Sequence, residues 1–577
     1  MRHAQQAGGA RASAELCLLG GLVSGCAARL KGAAMPQAAA ALAATAAATV
    51  LLQAAHVVGP VPASKLRTRA DSGLLFGVCG LPCLWSMAAC QIQPAGRAPL
   101  LQQFWLALMA GLGILIWLVG LTIRYSNSTT APSAALMLLA AAARAVATDL
   151  GDASLATPYV TLQLACFVGV CSLLWFLALR QLPRCFTLGE AAFMAIGGGS
   201  VLHGGASTLV PSQCVNWVTG SMPLTILAML CTATLVSINA LLLLPFGLRP
   251  RAPRGDATLE APRVTMLYEV VAVAVVAYGP WLAWVLRGQQ RQVDEGLLLW
   301  LVNLVQSDKW CMQIIAYWAA ILLIVPVIPR IQRCLGLGKT CARKLFHAVA
   351  LAMFVPATAL HVDLMALAFA VALNVFVWVE ALRVCNLLPF RKIVSEFLGR
   401  YVDSRDQGPV ILTHMYLLLG CAIPVWCHVT MCTANSRLET TSAVGRPHSG
   451  TGPLAFGGLL AVGVLDSLAA GFGKAYGRHR WPGTLKTVEG TAAAIVGSVG
   501  VVFVCSSYHN YSLSATGGGN NGATGMHTVL LEPVVSSWAQ LCLPVVLIGL
   551  LEAFTEQIDN ILLPVTYTTC FLALGPR

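Results

Sequence analysis

The sequence predicts an all-α polytopic membrane protein, with roughly fifteen transmembrane helices and one polar, glycine-punctuated loop on a single membrane face. Three observations lead there. Hydrophobic residues fill 57% of the 577 positions and charged residues only 10%, which excludes an ordinary soluble domain. Apolar runs close to the ~20 residues that cross a bilayer recur from end to end. Between two of them lies Asp466–Thr491, DSLAAGFGKAYGRHRWPGTLKTVEGT, dense in glycines, cations and acids. Lipid cannot satisfy backbone polar groups, so the spans are helical and the polar loops lie at the water interface or inside protein.

The opening segment is Ala-rich (AAAALAATAAATV), and its periodicity does not discriminate between structures. Arg2, Arg11 and the apolar run from Leu16 fit a signal anchor or first span better than a cleaved peptide. Clear spans follow at Leu101–Ile123, Pro158–Leu179, Met222–Leu244, Val264–Leu286, Ile314–Ile328, Leu364–Val384 and Ile411–Met431. The chain divides into a multispan hydrophobic region, 1–300, and a second multispan region, 301–577, which carries the charged loop at 466–491. The 20 cysteines are scattered, and no CxxC pair faces a matching His or Cys set, which argues against a zinc or disulfide framework.

The net charge of +13 matters through its placement. Arg330, Arg333, Lys339, Arg343 and Lys344 form one basic loop, Arg391, Lys392, Arg400 and Arg405 a second, and Lys474 to Lys486 a third. The intervening connections are a tight turn near His361, the Ser/Thr/Gly-rich run Thr433–Gly452, and the loop Ser506–His527. That last loop carries a glycosylation acceptor, Asn510-Tyr511-Ser512. Positive-inside reasoning puts the basic loops in the cytosol, and a lumenal Asn510 has the matching parity.

With that topology, several polar clusters share the cytosolic face. Arg343, Lys344 and His347 open one span, and Asp403, Arg405, Asp406 and His414 lead into another. Asp466 ends the span that starts near Pro453. Glu552, Glu556 and Asp559 occupy the turn between the last two spans and share a helix face if that turn is helical. Ionisable groups at membrane depth are costly and are functional candidates by default. Plainer readings stand beside each: Arg343 and Lys344 as a topogenic signal, His347 as a satisfied core histidine, Asp403 and Asp406 as a solvated loop.

The loop itself has the chemistry of a polyanion site. Gly471, Gly473, Gly477, Gly483 and Gly490 let backbone N–H groups approach a ligand, and Lys474, Arg478, Arg480, Lys486 and Thr487 suit phosphate oxygens. Asp466 and Glu489 suit a divalent metal or proton handling. Two other patterns carry nothing. GLGKT at 336–340 lacks the leading P-loop glycine, since Arg333 stands there, and Gly517–Gly522 satisfies GxGxxG without a strand or helix around it.

WPGTLKTVEGT, with Asp466, Gly471 and Gly477 upstream, resembles the nucleotide-binding segment of dolichol kinases and related CTP-using polyprenol and phytol kinases. RKLFH, DQGPVILTHMYLLLG and LEAFTEQIDNILLP resemble the same family in the same order, over roughly Leu335 to Leu574. The resemblance implies an endoplasmic-reticulum enzyme that moves the γ-phosphoryl group of CTP to dolichol, giving dolichyl phosphate for N-glycosylation and mannosylation. It implies a kinase core in 301–577 and a CTP-binding segment from Lys474 to Glu489, centred on Trp481, Pro482, Gly483, Thr484, Lys486 and Thr487 and followed by Gly490. One departure is Leu465 before Asp466, where the family commonly has glycine.

Phosphoryl transfer asks mainly for positioning and charge neutralisation. Lys474, Arg478, Arg480 and Lys486 would compensate the triphosphate, Arg343 would be a second clamp, and Mg²⁺ or another divalent cation would bridge phosphate to Asp466 and Glu489. Asp466, Asp406 and His347 all remain open as the group that handles the alcohol proton. Expected partners are CTP, dolichol or another long-chain polyprenol, and the bilayer, with no nucleic acid and no obligatory protein. Alternatives are another CTP-using lipid enzyme (phytol, farnesol or diacylglycerol kinase, or a CDP-lipid cytidylyltransferase), an inactive homologue, and a transporter. No internal repeat supports the last.

Overall fold

The computed structural model describes residues 2–54, 66–67, 72–92, 97–125, 137, 158–209, 230, 233–234, 309–334, 336, 339–384, 406, 408–436, 453–516 and 538–575. Asp403, Arg405, the span Val264–Leu286 and nearly all of Met222–Leu244 lie outside them, as do the second basic loop and the Gly517–Gly522 run.

In chain order the helices are α1 (Arg2–Gly32), α2 (Pro36–Ala54), α3 (Leu74–Cys90), α4 (Ala98–Tyr125), α5 (Pro158–Gln181) and α6 (Leu188–Leu209). After these come α7 (Lys309–Ile324), α8 (Ile328–Cys334), α9 (Lys339–Leu360), α10 (Val362–Val384) and α11 (Thr413–Ser436). A π-helical segment, Leu459–Leu465, runs straight into α12 (Asp466–Tyr476), followed by α13 (Val488–Thr516), α14 (Trp538–Phe554) and α15 (Asp559–Leu574). Among the described residues there is no β-strand, and one isolated antiparallel bridge joins Arg480 to Thr487. Seven of the described helical stretches are long and apolar enough to cross a membrane, and five more are apolar but shorter. The chain is thus a helical, multi-pass membrane protein, and seven is what the described residues count against the roughly fifteen spans expected.

In lipid, helices gain little from hiding apolar surface and associate through close packing instead. The helix α3 lies at the centre of the early helices, against α1, α2, α4 and α6, and also against the late helix α15. On the other side α11 packs on α10 and α15. Small residues set the tightest crossing: a Cβ on Gly420 would strike the Asn560 carbonyl, and one on Gly458 would strike the carbonyl of Gly420. That crossing fixes the entry of the π segment. There the Asp466 N–H bonds back five residues to Ala461 O, and the extra residue per turn re-aims the helix where Asp466 begins.

Three expectations change. The acids Glu552, Glu556 and Asp559 do not share a helix, because α14 ends at Phe554 and α15 starts at Asp559, with Ile558 extended (φ −69°, ψ 106°). The intervening turn is pinned from outside. Glu190 Oε1 accepts the Ile558 N–H (3.0 Å), Thr187 Oγ1 donates to Gln557 Oε1 (2.8 Å), and Arg67 donates to the Glu556 carbonyl (3.2 Å). Those bonds outcompete a continuous helix. Second, the expected loop Ser506–His527 begins as helix, since α13 runs to Thr516 and takes the backbone of Asn510 with it. Third, the loop expected over 466–491 shrinks to 477–487, and Asp466 does not end a span but lies inside the continuous apolar helical stretch Leu459–Tyr476, because the π segment passes into α12 without a break.

Candidate active site

The segment joining α12 to α13 is a tight hairpin built by its own sequence. Val488 N–H bonds to His479 O (2.8 Å), Trp481 N–H to Lys486 O (3.0 Å), and Thr484 N–H to Trp481 O (3.2 Å). Pro482-Gly483 forms the bend: proline presets φ at the second turn position, and Gly483 takes φ 74° at the third, which a side chain would strain. Thr487 caps α13, its Oγ1 accepting the Gly490 N–H (3.2 Å). Gly490 is buried where α12 crosses α13, and a Cβ there would meet Ala469 O at 2.8 Å and Gly473 Cα at 2.9 Å. Trp481 anchors the hairpin inward, its indole N–H donating to Thr491 Oγ1 (3.0 Å) and its ring standing edge-on to Phe554 (5.2 Å).

Two ion pairs tie this hairpin to the distant clusters. The Lys486 ammonium donates to both the carboxylate and the backbone carbonyl of Glu552, at the end of α14. At the start of α12, Asp466 pairs with Lys344 of α9. His347, one turn along α9, is buried with Nδ1 3.6 Å from Asp466 Oδ2 and 3.2 Å from Val462 O. Asp559 lies within electrostatic reach of both His347 and Glu552, and Asp466 within reach of Glu552. Segments about 120 residues apart in sequence therefore meet in one polar cluster.

The remaining candidates fall around or away from that cluster. Lys474, Arg478, Arg480, Pro482 and Gly483 are exposed, while Thr484, Lys486 and Thr487 are half-buried. A Cβ on Gly471 would meet nothing within 4 Å, so packing does not require glycine there. Glu489 is turned to its own hairpin, accepting the His479 N–H (3.1 and 3.2 Å) and facing His479 Nδ1 at 2.6 Å. Asp406 accepts the Leu412 N–H (3.1 Å) and the Thr413 hydroxyl, which fastens it to the start of α11. Arg343 lies in the first turns of α9, with its side chain outside the described residues.

Several charged residues in the first half escaped sequence reasoning. Arg67 and Glu190 form a buried pair (2.6 Å), their side chains 2% and 6% exposed. Arg11 donates to the Phe554 carbonyl (2.9 Å) and pairs with Glu556 (3.1 Å). Arg67 stands in a charged run with Lys65, Arg69 and Asp71, and Arg11 four residues before Glu15, so only Glu190 gave the signal of an isolated charge in an apolar stretch. Nothing in their spacing pointed to a turn hundreds of residues later.

Comparison with known proteins bears on most of the chain. A family model described as dolichol kinase matches residues 50–443. The mouse dolichol kinase is 28% identical over 397 residues, covering 67% of this chain and 65% of its own length. The human dolichol kinase is 28% identical over 516 residues, covering 87% and 85%. An Arabidopsis thaliana relative named dolichol kinase EVAN is 27% identical, covering 87% and 88%. A stretch covering 87% of the chain has to run through the Asp466–Thr491 segment wherever its ends fall. No solved structure matches the chain. The match over residues 50–443, with relatives from mammals and a plant that align along most of the sequence, places this chain in the dolichol kinase family.

Proposed function

We propose that this chain phosphorylates dolichol with CTP: the alcohol oxygen attacks the γ-phosphorus, the bond to the bridging oxygen of CDP breaks, and dolichyl phosphate leaves after losing the hydroxyl proton. The observation that carries the reading is the meeting of Asp466, Lys344 and His347 with the Lys486–Glu552 pair, at the mouth of a cation-rich hairpin in a membrane-embedded dolichol kinase relative. Polyprenols stay in the bilayer, so the hydroxyl must meet a water-borne nucleotide at the interface, where the hairpin joins two apolar helices. We place that face in the cytosol of the endoplasmic reticulum membrane, on the positive-inside pattern of the basic loops and the family resemblance, in a body of roughly fifteen spans.

The exposed Lys474, Arg478 and Arg480 receive the triphosphate, with Lys486 beneath them and Arg343 as a further clamp. Gly471, with open space where a Cβ would stand, and the Gly473–Gly490 crossing keep side chains clear of the approach. Asp466 is the group best placed to take the alcohol proton, because its carboxylate is already oriented by Lys344 and His347. Asp406 acts by holding the start of α11 in place. Among the described residues no three acids, histidines or cysteines gather into a ready cation site, and Glu489 is taken by His479; Asp466, with Glu552 within electrostatic reach, is the carboxylate that would hold a divalent cation together with the triphosphate. Mg²⁺, when bound there, would neutralise phosphate charge.

The test is transfer from γ-labelled CTP to dolichol in membranes carrying the chain, with ATP as the control donor and Lys486→Ala beside it. Labelled dolichyl phosphate from CTP, lost in the variant, is the expected result. Transfer to phytol or diacylglycerol but not dolichol would move the chain to a neighbouring lipid kinase activity.

A further inference from the structure

Within the helical body, α3, α6, α10 and α11 enclose an apolar cavity of about 240 Å³. On α11 and the residue before it, the lining runs Leu412, Tyr416, Leu419, Ile423, Trp426 and Thr430. That is one continuous stripe along a helix, and at 1.5 Å per residue it extends about 27 Å, close to the ~30 Å of a bilayer's hydrocarbon core. The cavity is therefore a slot along the span, walled by the first half of the chain (Trp85, Phe193) as well as the second (Val377).

One end of the slot is polar and unsatisfied. Tyr416 is 1% exposed, and its hydroxyl has no hydrogen-bond partner. It lies within electrostatic reach of Arg67, Glu190 and Asp406. Arg67 donates through Nη2 to Glu190, yet its Nη1 is also without a partner. Two unsatisfied donors are costly in a dry setting and call for an acceptor. This end borders the candidate site: Glu190 binds the N–H of Ile558, and the next residue, Asp559, is within electrostatic reach of His347 and Glu552.

We propose that the slot holds the isoprene units nearest the hydroxyl of the lipid alcohol, with the Tyr416 hydroxyl donating to the alcohol oxygen at its polar end. An apolar tail that ends in one acceptor oxygen matches both the apolar stripe and the unsatisfied Tyr416 hydroxyl. The inference rests on the dolichol reading above and adds where the lipid lies.

The test uses the purified full chain in lipid nanodiscs, with dolichol and a ten-carbon prenol as alternative acceptors. Ile423→Trp and Met415→Trp fill the slot. Each is expected to lower the dolichol-to-prenol ratio of kcat/KM at least tenfold, leaving KM for CTP within twofold. Tyr416→Phe is expected to raise KM for both alcohols about fivefold, as loss of one hydrogen bond would, with the pH profile unmoved. Variants that melt like the native chain but keep its ratio would overturn the proposal. If the native chain phosphorylates no polyprenol, the functional reading fails separately, and a diazirine-bearing prenol still tests the slot. Photo-adducts on α3 and α11 that unlabelled dolichol displaces support it; adducts confined to outward-facing Leu323 and Val375 refute it.

Discussion

Lys486 and Glu552 are joined twice, the ammonium reaching both the carboxylate and the main-chain carbonyl of the same residue. The glutamate side chain is 7% exposed and the lysine 30%. One cation thus closes the end of α14 and stands below the exposed arginines of the hairpin. Lys486→Ala is expected to lower kcat/KM for CTP by roughly 10²–10³-fold, the scale of one preorganised charged donor. It also strands a buried carboxylate, at a stability cost of about 3 kcal/mol. In Lys486→Met/Glu552→Leu the thermal midpoint should recover while transfer stays absent. Recovery of transfer would show that the pair is structural only.

Asp466→Asn keeps the shape of the side chain and removes its negative charge. Steady-state kinetics should show kcat reduced by about 10²–10⁴-fold, the range for a general base, with KM for CTP changed less than threefold. A change confined to KM for CTP would assign Asp466 to nucleotide binding alone.

The indole N–H of Trp481 spends its hydrogen bond on Thr491. Trp481→Phe loses about 1 kcal/mol of anchoring, and KM for CTP should rise about fivefold. Thr491→Val removes that bond and also the one its hydroxyl donates to Thr487 O (3.2 Å), so its loss should be at least as large, and the double variant should be no worse than Thr491→Val alone. Additive losses would place Trp481 directly on the nucleotide.

Breaking the buried Arg67–Glu190 pair from one side, as in Arg67→Met, should cost roughly 3–5 kcal/mol of stability in detergent unfolding. Removing both partners should recover only part of it. Glu190 also accepts the N–H groups of Thr187 and Ile558, and both would be left without an acceptor. Full recovery would mean that those two bonds contribute nothing.

Removal of divalent cations by a chelator should abolish transfer, and Mg²⁺ should restore it, with Asp466→Asn requiring more Mg²⁺ than the native chain. Transfer that persists under chelation would remove the cation from the reading.

Much of this arrangement was legible from residues alone. The helical, membrane-embedded class follows from apolar run length, and α4, α5, α10 and α11 begin and end within a few residues of the expected spans. Pro482-Gly483 and Thr487 announce a bend and a cap, because their chemistry is local. What stayed hidden was pairing across the sequence. Glu552, Glu556 and Asp559 looked like one helix face, yet the first two pair with different cations, Lys486 and Arg11, and the third opens a new helix, α15. Arg67 and Glu190 carried no periodic signal at all, since their partners lie in a turn that only folding brings near.

The first helix is fastened to the last. Arg29 donates to the Gly575 carbonyl (2.7 Å), Gln91 to that of Leu572 (2.7 Å), and Arg11 to that of Phe554 (2.9 Å). Synthesis delivers these groups at opposite times. The bonds from α1 and from the residue after α3 can therefore form only once α14 and α15 have been made. A chain halted before Trp538 would lack all three of those carbonyls, however complete its nucleotide hairpin.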